Sequence, residues 1–112
     1  MAIVKEKTEI INISIKQAVD RIDNYIRKDI NLFRLTTDIQ DDSFYMELDV
    51  KRSLASLGEI MELKGEKIDD NKMKLNIVSR CIEKKSIIDW GKNNKNIEGV
   101  FSLFEKERTS EK

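Results

Sequence analysis

The sequence predicts an α+β fold, in the order β-α-β-β-β-β-α: a curved antiparallel sheet packed on one face by an N-terminal helix and a long C-terminal helix. Three observations carry it. Phe44, Met46, Leu48 and Val50 alternate with Tyr45, Glu47, Asp49 and Lys51, the pattern of a strand with one core face and one wet face. Ile15, Ala18, Val19, Ile22 and Ile26 share one side of a helix. Near the C-terminus, Ile87, Trp90, Ile97, Phe101 and Phe104 fall on one face of a second helix, with Val100 beside them.

Thr8 to Ile13 reads as the first strand, with Ile11 and Ile13, or Ile10, facing inward. Ser14 followed three residues later by Gln17 is a capping-box pattern, so the first helix spans Ile15 to Lys28. Leu32 to Ile39 suits a second strand whose phase is ambiguous, because Leu32, Phe33, Leu35 and Ile39 do not share one parity. Asp41-Asp42 makes a turn into the alternating strand. Arg52 to Gly58 interrupts the alternation with small residues, and Glu59 to Lys64 resumes it with Met61 and Leu63 inward. Gly65 to Asn71 reads as a polar turn. Lys72 to Ser79 is the last strand, with Met73, Leu75 and Ile77 inward.

Glu83-Lys84-Lys85 links this strand to the C-terminal helix, which Ser86 and Asp89 are placed to cap and charge. From Ile87 to Lys106 that helix would run roughly 30 Å. Gly91 and Gly99 lie within it, and the reading favoured for them is a helix back that sits close to the sheet, or a helix that begins near Asn93. The whole chain, 1–112, reads as one domain with its core at about 8–106 and a frayed tail at 107–112.

Composition narrows function chiefly by removing chemistry. Lys+Arg and Asp+Glu balance at 21 each, which disfavours a dedicated nucleic-acid binder. Acids dominate from Leu35 to Leu63 and bases from Lys64 to Lys95, so neighbouring strands of opposite sign should support each other. The chain has no His, the usual base near neutral pH, and one Cys, Cys81, which can form neither an intramolecular disulfide nor a structural zinc site. Asp41-Asp42 and Asp69-Asp70 lie in expected turns without the apolar setting that tunes a carboxylate. No catalytic, metal or cofactor site is therefore assigned. No run reaches the ~20 apolar residues that span a bilayer, and Met1 to Lys7 lacks a signal peptide's apolar core. A cytoplasmic bacterial protein is the expectation; the absence of Pro and the heavy use of Ile, Lys, Asn and Glu fit an AT-rich source.

Ser53-x-x-Ser56-x-Gly58-Glu59 before a strand, a later strand ending near Ser79, and Asp89-Trp90-Gly91-Lys92-Asn93-x-x-Asn96-Ile97 opening a helix together resemble a family of small uncharacterised bacterial α+β domains. Leu57 stands where that family tends to carry an aromatic residue. The resemblance covers roughly residues 44 to 104 and brings no established activity. The element order also resembles a reduced helix-grip (START or Bet v 1-like) fold, which implies a sheet wrapped around the C-terminal helix, often with an apolar cavity between them.

The functional expectation is a non-catalytic protein-interaction module, acting through a sheet edge or its solvent face, with a protein partner or a second copy. Tyr45, the aromatic placed outward on a strand, is its candidate contact. The alternative is a carrier of an apolar small molecule or lipid lined by Phe44, Met46, Leu48, Met61, Met73, Leu75, Trp90 and Phe101. A third reading is an anionic-ligand or nucleic-acid contact through Lys72, Lys74, Arg80, Lys84, Lys85, Lys92 and Lys95.

Overall fold

Ser14 adopts extended geometry (φ −76°, ψ 158°) and its hydroxyl accepts the Gln17 backbone N–H at 3.2 Å, which starts α1 (Ile15–Lys28) where the capping box puts it. Arg27 and Lys28 occupy its last turn, where the helix dipole favours cations. Ile15, Ala18, Val19 and Ile22 are buried, and Tyr25 and Ile26 pack against the core edge. The computed structural model describes residues 4–29, 32–50, 58–81 and 92–108. The part of the expected interruption from Arg52 to Leu57, the linker at Glu83–Lys85, the Ser86 and Asp89 cap, and Trp90 and Gly91 lie outside the described residues.

Five strands form one curved antiparallel sheet: β1 (Val4–Ile11), β2 (Leu32–Ile39), β3 (Ser43–Val50), β4 (Glu59–Asp69) and β5 (Lys72–Cys81). Their spatial order is β1-β5-β4-β3-β2, so β1 and β2, neighbours in sequence, are the two opposite edges. Strand β1 starts at Val4 rather than Thr8, because its register runs Val4–Arg80 to Ile11–Met73 along β5. Ile11 and Ile13 are the inward residues, Ile13 after the strand has ended. The segment from Gly65, expected to turn, stays in β4 as far as Asp69, and the chain reverses at Asp70-Asn71. A packing contact explains the difference: the Phe44 ring lies over Gly65, and a Cβ there would come within 2.2 Å of it. Gly65 is a strand glycine that accommodates an aromatic neighbour.

Both helices cover the same face. α1 crosses under β2, β3 and β4, and α2 (Lys92–Phe101) lies over β5, β1 and β4. The described C-terminal helix is ten residues, about 15 Å, followed by a 3-10 turn at Ser102–Phe104. It is shorter than the span expected from Ile87 to Lys106. Ile97, Val100 and Phe101 of the helix and Phe104 of the 3-10 turn are buried, as the stripe requires. Gly99 makes its close approach to Tyr25 of α1 instead of to the sheet: a Cβ would meet the Tyr25 hydroxyl at 2.8 Å. The start of the tail is held rather than frayed. The Asn12 N–H donates to the Glu107 carbonyl at 2.8 Å, and Arg108 bridges Ile11 as a further antiparallel partner of β1.

Candidate functional site

The outer edge of β2 is the most distinctive surface of the described residues. Phe33, Leu35 and Ile39 are 54%, 52% and 50% exposed, and they make up three of the five exposed large apolar side chains described. On its inner side β2 pairs with β3, and among the described residues no strand lies on its outer side. The phase ambiguity of this segment has a structural cause. The register shifts between Arg34 and Thr36, leaving Leu35 as the extra residue of a β-bulge. Before the bulge Leu32 and Arg34 lie opposite the core residues Val50 and Leu48; after it Thr37 and Ile39 lie opposite Met46 and Phe44. Arg34 pairs with Asp23 of α1, which fixes the edge to the helix beneath it. The Thr37 Oγ1 is buried and has no hydrogen-bond partner.

At the opposite edge, Lys7 of β1 joins Glu98 at 2.6 Å and Glu9 at 3.0 Å. Arg108 joins Glu9, and reaches Glu105 at 3.2 Å and Glu98 at 3.7 Å. The Arg108 guanidinium and the Lys7 ammonium lie 5.3 and 5.4 Å from the Phe101 ring centre, within cation–π range. Arg21 forks onto Glu107 at 2.8 and 2.9 Å and donates to the Leu103 carbonyl at 2.8 Å. Hydrogen bonding from Arg108, and then from Lys7, holds the Glu9 carboxyl below its usual value, and Arg21 does the same for Glu107.

Tyr45 faces the solvent side, as its alternation requires, between Asp38 of β2 and Lys64 of β4. Burial, then Glu62 and Glu47, pushes its phenol up from the ordinary value. A shallow depression of about 220 Å³ beside it is lined by Asp38, Ser43, Phe44, Lys64, Gly65 and Glu66. Met46, Met61 and Phe101, expected as binding residues, are at most 1% exposed and belong to one packed core with Phe44, Leu48, Met73 and Leu75. Trp90, the remaining candidate, is outside the described residues. The basic residues of β5 face acids of β4, Arg80 to Glu62 at 2.7 Å and Lys74 to Glu66 at 3.4 Å. Arg80–Glu62 is the cross-strand support that the charge segregation predicts, whereas Glu66 lies within the basic stretch itself.

Sequence reasoning missed one cluster. Glu59 and Ser79 are fully buried, and the Asn96 side-chain amide donates to Glu59 Oε1 at 2.8 Å and Ser79 Oγ at 3.3 Å. The signal was present, because Glu59 is in phase with the inward Met61 and Leu63. Gly58 before it has φ 116°, a left-handed conformation that a side chain would strain. The three side chains are residues of the motifs quoted above, and the fold brings them together under α2. An amide donating to a buried carboxylate and hydroxyl satisfies groups that are costly to leave alone, and it ties the helix to β4 and β5.

Among the described residues no group of three or more His, Cys, Asp or Glu is arranged to hold a metal ion, and no helix is long and apolar enough to cross a membrane. Neither a protein-family model, nor a curated protein, nor a solved structure matches the chain.

Proposed function

We propose that this chain is a non-catalytic protein-interaction module that pairs an extended strand along β2. The observation that carries this reading is the coincidence of a backbone edge with no neighbouring strand among the described residues and Phe33, Leu35 and Ile39, all at least half exposed. Strand addition needs both parts: main-chain hydrogen bonds supply attraction, and alternate side chains supply selectivity. A long, apolar, uncovered edge is otherwise an aggregation liability that folded proteins blunt. The single Cys81 supports a reducing setting such as the bacterial cytoplasm.

The test is a photo-crosslinking residue placed at position 35 or, as control, at position 4 on the other edge, in cells producing the protein. A discrete protein adduct at 35 and none at 4 is the expected result. Adducts at neither position, or at 4 alone, overturn the reading.

A further inference from the structure

We propose that the strand seated on β2 is β2 of a second copy of this chain, antiparallel about a two-fold axis, so that two five-stranded sheets run on as one. The inference rests on the reading of β2 as an interaction edge. Its first support is the bulge. An unbroken eight-residue strand has its two ends on opposite faces, so pairing it antiparallel with itself over its full length would set core-facing residues beside solvent-facing ones. The extra Leu35 inverts the phase of the second half. Leu32 and Ile39, opposite Val50 and Phe44, therefore share the core face.

Full overlap then matches throughout. The partner's Ile39 lies beside Leu32 on the core face, and the partner's Asp38 lies beside Phe33 on the solvent face. The partner's Thr37 lies beside Arg34, again on the core face. No like charges are opposed, because the two charges of β2 are Arg34 and Asp38 and neither meets its own kind. Arg34 also comes opposite the hydroxyl that has no partner within one copy, Thr37 Oγ1. Leu35 lies opposite the partner's Thr36, so the exposed Leu35 side chains of the two copies flank the axis.

The second support is closure. The β1 edge carries Lys5 and Lys7 and is bridged at Ile11 by Arg108. A β2-to-β1 contact, the start of an open-ended stack, meets charge and an occupied edge. One open edge among the described strands permits a closed pair and stops there. The chain's formal net charge of zero sets no long-range repulsion against two copies meeting.

The experiment is sedimentation velocity over a concentration series on the parent and on two variants of exposed residues, Leu35→Arg and Ile68→Arg. Leu35→Arg sets two cations at the axis and should weaken association at least tenfold. Ile68→Arg, on an exposed apolar residue away from β2, should leave it unchanged. Leu35→Cys under mild oxidation should form a covalent dimer that the parent, with Cys81 alone, does not. A parent that stays monomeric at every concentration overturns the inference, as does a dimer that Leu35→Arg leaves intact and Leu35→Cys does not trap. If the monomer is still crosslinked to another protein from position 35, the edge reading survives without the second copy. Without that adduct, both fall.

Discussion

The two edges of this sheet solve the same problem in opposite ways. Each presents a row of backbone donors and acceptors that an uninvited strand could use. On β1 the row is flanked by Lys5, Lys7 and Glu9, its end is occupied by Arg108, and Phe101 fills the space beneath. On β2 the exposed large apolar side chains are Phe33, Leu35 and Ile39, and its two charged residues are Arg34, paired with Asp23 of the helix, and Asp38. Charge is spent where the edge is to be closed, and apolar surface is left where it is open. The difference shows that edge protection is placed selectively in a chain where 38% of residues are charged and were available for either edge.

The largest expected effect comes from unsealing β1. Phe101→Ala removes a fully buried ring beneath Lys7 and Arg108, and should cost about 3–5 kcal/mol in denaturant unfolding. Hydrogen exchange should quicken in β1 more than in β2; equal quickening would mean that the two edges are not independent. Gly65→Ala should act on the other side. The new Cβ collides with the Phe44 ring, which is paired with Ile39 of β2, at about 1–3 kcal/mol. Its exchange signature belongs in β2 and β3.

Arg108→Ala should cost roughly 1 kcal/mol, near the upper range for ion pairs with partial exposure, and expose the Asn12 amide, which donates to the Glu107 carbonyl, while β2 stays as it was. The same edge should respond to acid. Glu9 and Glu107 have folded-state pKa values below their ordinary 4.5. Their contribution is complete above that value and is lost as pH falls through the lowered values. Amide protection around Asn12 should therefore fall below about pH 4.5, and pH-independent protection there would remove the ion pairs as its cause. The smallest effect is Phe33→Ser. It should change unfolding free energy by no more than about 0.5 kcal/mol, because the ring is mostly exposed, yet it should weaken whatever binds at β2.

Much of this architecture can be read locally. The Ser14–Gln17 cap and the apolar stripe behind it place α1 to the residue, and two-residue alternation identifies the inward faces of β3, β4 and β5. The parity break among Leu32, Phe33, Leu35 and Ile39 was equally visible, but deciding which residue is extra requires the strand opposite. Gly65 misleads for the same reason, since a polar stretch with a glycine reads as a turn until Phe44 is seen to cover it. The edge itself was the least legible feature. Nothing in Leu32–Ile39 states that β3 will be its neighbour on one side only, because strand order is a property of the whole sheet. Met46 and Met61 show a further limit: alternation says that they point inward, and only packing tells a filled core from a cavity.

Space order and chain order part at β1, which sits beside β5 although it is made first. Strands β2 to β5 form a meander in which each hydrogen-bonds to the one before, so those contacts close over short loops. The pairing of Val4 with Arg80 closes a far longer one, and distant pairings are slow because loop entropy is lost before contacts compensate. During synthesis, β1 leaves the ribosome before β5, the strand it pairs with, has been made. It must stay unpaired, and guarded from other chains, until β5 has emerged. The Lys and Glu residues that flank Thr8 in β1 suit that interval, since they keep the waiting segment charged before there is any edge to seal. Of the five strands, the one made before the others can pair only with the one made after them.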